Sequence, residues 1–370
     1  MKSVVLAISL LCATLSAYAQ SLKTELDSVM SRHFPAKSPG GALFVQIDGK
    51  IIYQKGYGSA NLAKATGVTP ATNFRMASVS KQFTAMCILL LEKQKKLSVE
   101  DNLLRFFPDF NSKVGQKVTL RHLLTHRSGL VDYETLLPPK RKNQIFDAEV
   151  VQLLKPLDST YFEPGTSFRY SNSAFCVLEQ VVEKVSGQPY LSFIRQTIFD
   201  PLGMKQTTLY DPPKGIIPNR AMGYAPGEKE DEVVPADQSV TSGTKGDGCI
   251  YTSLIDYQKW CKALEDNTLL DLTAAFERIS YPIENTEQAS YGLGWFQYHP
   301  DENTAEYFHS GSTSGFSTFV VRVPAKKTTI VLFSNLADNT APFEEVLTTI
   351  RVASETAPLI DVWALHDLTQ

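Results

Sequence analysis

Apolar positions follow two regimes along this chain, with short strand-like runs toward both ends and helical spacing through the middle. Ala42-Leu43-Phe44-Val45-Gln46-Ile47 and Ile51-Ile52-Tyr53-Gln54 flank Asp48-Gly49. A two-residue Asp-Gly link predicts a hairpin, because both residues accept the positive φ of a turn whose twist matches its strands. A second hairpin is predicted from the run Gly315 to Val323 and the β-branched run Thr328 to Phe333, joined by Pro324-Ala325-Lys326-Lys327. Between them, segments 79–96, 145–155, 173–187 and 189–199 repeat apolar residues at the period of one helix face, and Pro201-Leu202-Gly203 stops the last. A further helix is predicted over 341–352, and the polar, Gly-containing stretch 224–248 reads as a long surface loop. Strands at both ends around a helical middle predict an α/β chain of the α+β type. An antiparallel sheet formed by both termini (about 20–74 and 290–356) is flanked by helices and carries an inserted helical region (about 75–289). A ligand cleft is expected where the two meet. The tail 357–370 is apolar enough to pack, against an unspecified surface.

The first residues stand apart from that plan. Lys2 precedes an apolar run from Val4 to Leu15, and Ala17-Tyr18-Ala19 supplies a small-x-small cleavage pattern. Together they predict a signal peptide over 1–19, with Gln20 first in the mature chain, and an exported protein, periplasmic or secreted. The run is too short to span a bilayer, and no later apolar run is long enough, so no membrane span is expected after cleavage. Cys12 lacks the small residue before it that a lipid-anchored cysteine needs.

Composition then excludes several function classes. With 370 residues, 43% apolar and 20% charged, the chain is neither a disordered tail nor a small disulfide scaffold. Its 36 basic and 39 acidic residues give a net charge of −3, and loss of Lys2 makes it −4. With no Lys/Arg-rich run, nucleic acid is not an expected partner. Cys87 and Cys176 sit among apolar residues and read as core, which leaves Cys249 and Cys261 as the pair able to form a disulfide in an exported chain. His122 and His126 have helical i, i+4 spacing, but Leu123 stands where a zinc hydrolase needs Glu, so no metal is expected. No cofactor is expected either.

Three motifs carry candidate chemistry. In Ser78-Val79-Ser80-Lys81, at the start of an apolar helix, residues three apart share a face, so the Lys81 amine can reach the Ser78 hydroxyl. A serine becomes nucleophilic only when a neighbouring base takes its proton, and a lysine serves only where burial and charge favour its neutral form. The pattern recurs at Ser242-Gly243-Thr244-Lys245, where no apolar helix follows and a surface loop is expected. Tyr170-Ser171-Asn172 precedes another helix and can present a phenol to a cleft. His309-Ser310-Gly311-Ser312 leads into the Phe316 strand, where Gly permits close approach of a ligand to backbone N–H groups. No Gly-x-Ser-x-Gly elbow is present.

Taken in order, Ser78-x-x-Lys81, Tyr170-x-Asn172 and His309-x-Gly311 resemble the three signature elements of the serine β-lactamase and penicillin-binding-protein superfamily. They are most similar to its class C-like branch of D-Ala-D-Ala carboxypeptidases, D-aminopeptidases and esterases. Phe74-Arg75-Met76-Ala77, Leu123 through Leu130, Glu163-Pro164-Gly165 and Tyr291 through Trp295 agree with it. The resemblance implies a β-lactamase/transpeptidase-like fold and a Ser78 acyl-enzyme formed on an ester, an amide or a D-amino-acid peptide. Lys81 and Tyr170 would move the proton, Asn172 would hold the substrate amide or Lys81, and the N–H groups of Ser78 and Ser312 would receive the oxyanion. The partner is then a small molecule or peptidoglycan fragment. Oligomeric state is not legible. A class C-like β-lactamase and a non-hydrolytic penicillin or peptidoglycan sensor are the alternatives. His309 departs from the Lys that opens the third element in β-lactamases and most penicillin-binding proteins. Its protonation is expected to vary near physiological pH and to add a second inflection to a pH–rate profile that rises until Tyr170 and Lys81 reach their working states.

Overall fold

The computed structural model describes residues 20–211, 216–229, 232–284, 286, 288–301, 304–354 and 357–368. The predicted signal peptide lies outside the described residues.

Both predicted hairpins form and lie side by side in one antiparallel sheet. Its eight strands run, edge to edge, Tyr281–Pro282, Ala289–Gly292, Trp295–Asp301, Thr304–Thr313, Phe316–Val323, Thr328–Ser334, Gly41–Ile47 and Lys50–Tyr57. The first hairpin turns at Asp48 (φ 49°) and Gly49 (φ 75°), the two positive values that the Asp-Gly pair predicts. The sheet is continuous from 281 onward, upstream of the boundary near 290 read from the sequence. Phe316–Val323 and Thr328–Ser334 are buried along their whole length, in keeping with runs rich in β-branched and aromatic residues. Ala42, Phe44, Val320, Val331 and Phe333 face the helical layer. Leu43, Val45, Phe319, Val321, Ile330 and Leu332 face an outer layer. There a helix over 20–33 buries Leu22, Leu26, Val29 and Met30, one stripe at helical spacing, beside the helix Ala341–Ala353.

The tail belongs to this outer layer. Ile360, Val362 and Leu365 are buried in it, and the Glu306 carboxylate accepts the N–H groups of Leu359 (2.7 Å) and Ile360 (2.6 Å). A short helix, Val362–Asp367, follows.

In the middle of the chain the helices are close to those expected, with shifted ends. A tight turn, Ala77–Ser80, runs into Lys81–Lys93. Asn172–Ser186 is capped by Ser171 and closed by Gly187 in the left-handed region. Asp147–Leu154 forms, and the segment expected over 189–199 divides into Tyr190–Ile194 and a wider turn, Arg195–Phe199.

One expectation is corrected in part. Residues 224–248 are a surface segment only in part: the described residues from 225 to 241, which include most of the ladder Tyr224–Pro226 with Val233–Pro235, are exposed or half-buried, whereas from the end of the turn Val240–Gly243 into the short helix Lys245–Gly248 the chain buries Ser242, Gly243, Thr244 and Asp247. Their polar backbone is satisfied by distant side chains instead of water. Buried Arg75 donates to Gly248 O (3.0 Å), Gln238 Oε1 (2.9 Å) and Ser242 O (3.0 Å), and Asp147 accepts the N–H groups of Lys245 (2.6 Å) and Gly246 (3.0 Å). The second Ser-x-x-Lys therefore sits within a packed wall. Cys249 and Cys261 do not pair. All four described cysteines are free and buried, and burial pushes the Cys261 thiol up to about 12. No helix among the described residues is long and apolar enough to cross a membrane.

Candidate active site

The nucleophile's position follows from the residues just before it. Phe74–Arg75 pairs with Tyr251 and Thr252, and the Met76 N–H donates to Ile250 O at 2.8 Å. Ala77 then takes φ 47°, a conformation that costs a residue with a side chain, and turns the chain so that Ser78 opens toward a cavity. The strand Thr304–Thr313 holds that turn from the sheet side. A Cβ on Gly311 would lie 2.4 Å from Met76 O and 2.5 Å from Thr318 Oγ1, so only glycine lets strand and turn meet. The Thr318 hydroxyl donates to Met76 O at 2.8 Å.

Lys81 is wholly buried, and its Nζ donates to Ser78 Oγ (3.0 Å), Asn172 Oδ1 (2.8 Å) and the Asp247 carbonyl (3.1 Å). Asn172, first residue of its helix, passes the network on through Nδ2 to Glu134 Oε1 at 3.0 Å. Ser78, Asn172 and Ser312 line one cavity of about 290 Å³ together with Glu134, Asp247 and Arg75. The geometry thus brings Ser78, Lys81, Asn172, Gly311 and Ser312 together. Tyr170 lies beside them: Lys81 Nζ stands 4.9 Å from its ring centroid, and its buried hydroxyl has no hydrogen-bond partner among the described residues.

His309 is the exception. Its ring is fully buried beside Tyr291 and Phe296 and does not line the Ser78 cavity. Nδ1 contacts the Ser310 carbonyl (2.6 Å), which can only accept, so the proton resides there and Nε2 (3.1 Å) accepts from the Tyr291 hydroxyl. Burial, with nearby Lys81 adding to it, brings the imidazole from 6.5 down to about 3. It is neutral at physiological pH, so the expected inflection there is corrected. Between 6.5 and 3 the unfolded chain takes up a proton that the native state refuses. Native stability therefore declines as pH falls through that window, by at most ~1.4 kcal/mol per pH unit from this group. His309→Gln is expected to flatten this acid limb when urea midpoints are followed from pH 7 to pH 4. A curve parallel to that of the wild type would refute the assignment.

Two further residues escaped the sequence reading. Glu134 lies on the turn Tyr133–Leu136, held to the Asn172 helix by the Tyr133 N–H to Ser173 Oγ bond (2.8 Å). Burial pushes its carboxyl up, against the opposing pull of the Asn172 amide. The one signal was a pair of carboxylates, Asp132 and Glu134, inside the otherwise apolar run Leu130 to Leu137. His126, at φ 55°, clamps the second motif from both sides. Its carbonyl accepts the Arg169 N–H (2.9 Å) and its Nδ1 accepts the Ser171 N–H (3.1 Å). Burial holds this imidazole well below its ordinary value, so it stays neutral beside Lys81 and acts as a positioning residue for Tyr170 and Asn172. Among the described residues, no group of three or more His, Cys, Asp or Glu side chains is arranged to hold a metal ion.

Residues 30–355 match the family model described as Beta-lactamase. The chain is 31% identical over 323 residues to Penicillin-binding protein 4* of Bacillus subtilis (strain 168), covering 83% of this chain and 70% of that protein. It is 32% identical over 263 residues to a D-aminopeptidase of Brucella anthropi, covering 70% of this chain but only 49% of that longer protein. The solved structure of D-amino acid amidase from Ochrobactrum anthropi SV3 complexed with D-phenylalanine superposes with a TM-score of 0.75 at 23% identity, over 90% of this chain and 100% of that one. The fold is β-lactamase/transpeptidase-like, with the sheet built from strands of both termini.

Proposed function

This chain belongs to the Beta-lactamase family, and on that premise we propose that it is an exported serine hydrolase cleaving amides or peptides of D-amino acids that keep a free α-ammonium group. The observation that carries the reading is the charge of the cavity. Glu134 presents a carboxylate beside Ser78, while Arg75, the cation lining it, spends its hydrogen bonds on Gly248, Gln238 and Ser242. Where β-lactamases and most penicillin-binding proteins have Lys, the buried neutral His309 supplies no positive charge to hold a substrate carboxylate. An ammonium group fits this surface and a carboxylate does not. The names of the D-aminopeptidase and the D-amino acid amidase support the amide and the D configuration. The pattern of residues 1–19 supports export.

In this mechanism Lys81, having lost one proton, keeps two N–H donors for Asn172 and the Asp247 carbonyl and turns its lone pair to the Ser78 hydroxyl. Ser78 Oγ attacks the acyl carbon as its proton passes to Lys81, and the oxyanion rests on the N–H groups of Ser78 and Ser312. The C–N bond breaks, the proton reaches the departing nitrogen with Tyr170 assisting, and water then releases the acyl group.

The test is a panel of D-alanyl p-nitroanilide, its N-acetyl derivative, D-Ala-D-Ala and nitrocefin, run with wild type, Ser78→Ala and Glu134→Gln. The free-amine anilide is expected to be hydrolysed only when Ser78 is present and to exceed its N-acetyl form by about 10²-fold or more in kcat/KM. Glu134→Gln is expected to shrink that preference to about tenfold or less, since the neutral amide forfeits the charge-assisted bond. Equal turnover of free and acetylated substrates sinks the ammonium reading, and preferred turnover of nitrocefin supports a β-lactamase instead. Recovery of the protein outside the cytoplasm with Gln20 at its N-terminus tests export.

A further inference from the structure

A second cavity, of about 480 Å³, adjoins the first and shares Glu134 and Asn172 with it. Glu134 and Asn172 stand at the divide with Tyr170 on the far side of it, and we treat the two as halves of one cleft. The halves differ in chemistry. The Ser78 half is lined by hydroxyls, an amide, carboxylates and the Arg75 guanidinium. The second has apolar walls in Phe168 and Leu368, and at its rim the Arg169 guanidinium is already paired with Asp132 at 2.7 Å.

Leu368 reaches this place from the far end of the chain, and it is held there. Ile360, Val362 and Leu365 are buried against the outer face of the sheet, and Glu306 fixes the backbone of Leu359 and Ile360. The Val362–Asp367 helix is tied to the third motif by the bond between Ser310 Oγ and His366 Nδ1 at 2.8 Å. Half-buried Leu368 follows at the helix end, packed in the same cluster as Phe168 and Tyr170. A side chain carried on so anchored a segment is a fixed wall of the cleft.

We propose that the C-terminal segment completes a leaving-group site, in which Leu368 and Phe168 receive the hydrocarbon part of the departing amine. The inference rests on the Ser78 acyl-enzyme of the reading above. When the acyl portion with its ammonium group occupies the Ser78 half, the scissile nitrogen points out of it, across Tyr170 and Asn172, into this second half. Leu368 is thus a specificity residue for the amine and not for the acid.

The site is tested from the reverse direction, with the full chain and no assumption about the natural acyl group. Wild-type protein acylated by p-nitrophenyl acetate is partitioned between water and methylamine, butylamine or hexylamine, amines of nearly equal basicity. In aminolysis the amine nitrogen attacks the acyl carbon of the Ser78 ester, the Oγ–C bond breaks, and the amine proton returns to Ser78 Oγ. The N-alkylacetamide yield per acceptor concentration is expected to rise about tenfold from methylamine to hexylamine. Leu368→Ala is expected to cut that preference about fivefold and Leu368→Met to retain it. A preference independent of chain length in the wild type, or unchanged in Leu368→Ala, overturns the proposal. If chain length matters but D-alanyl anilides are not hydrolysed, the leaving-group site stands and the D-amino-acid reading falls. Failure of p-nitrophenyl acetate to label Ser78 overturns both.

Discussion

Lys81→Met is expected to lower kcat/KM for any substrate by at least about 10³-fold while the protein still folds. Methionine nearly matches the lysine stem in shape, so packing among Phe175, Val79 and the helix Lys81–Lys93 is retained. What disappears is, among the described residues, the group within hydrogen-bond reach of Ser78 Oγ that can take its proton. Two acceptors, Asn172 Oδ1 and the Asp247 carbonyl, lose their donor, at a cost of about 1–3 kcal/mol each. Relief from burying an ammonium offsets part of that loss. Lys81 also helps hold His126 and His309 in the neutral form, so both imidazoles become more basic in the variant. Stopped-flow release of p-nitrophenol isolates acylation. A rate constant within tenfold of wild type would remove Lys81 from the base role.

Gly311→Ala is the second large effect, and it acts through shape alone. The added methyl would meet Met76 O at 2.4 Å, Thr318 Oγ1 at 2.5 Å and Ala77 Cβ at 3.0 Å, and two of these belong to the turn that presents the nucleophile. The strand cannot yield easily, since Gly311 is paired with Thr318 in the interior of the sheet. Strand and turn must separate by roughly an ångström, enough to cost about 10²-fold in acylation. Overpacking should take about 1–3 kcal/mol of stability as well. Kinetics and a denaturant titration on the same sample separate the two losses. Full activity with lowered stability would mean that the turn keeps its geometry without this contact.

How much was legible depended on the range of the interactions. The Asp48-Gly49 turn is local chemistry, and its strands appear where the pattern puts them. Ser78 and Lys81 meet because a helical turn brings residues three apart together, which spacing alone conveys. Asn172 joins them from a separate helix, and only the resemblance connected the two. Among the described residues of 224–248, only the stretch from Ser242 onward departs from the exposure that its polarity predicts. Arg75 and Asp147, far away in sequence, provide the partners that let that segment pack as a wall. His309 misled in a related way: a titratable residue in a motif suggested an accessible one, whereas the Tyr291 and Phe296 rings enclose it. Glu134 and Leu368 gave almost no signal, because each becomes part of the cleft only when turns from distant segments converge.

The strand order also imposes a schedule. Gly41–Ile47 is paired on one side with its hairpin partner and on the other with Thr328–Ser334, so the whole helical middle of the chain separates two neighbouring strands. During synthesis, at roughly 5–20 residues per second, the helical middle leaves the ribosome well before the strands it must lean on. Pairing across such a separation is slow to close and comes late. The Ser78 turn therefore waits for Gly311, and the cleft for Leu368, which follows the last strand of the sheet. A chain interrupted before Phe316–Val323 and Thr328–Ser334 emerge, however much helix it contains, has no assembled cleft to expose.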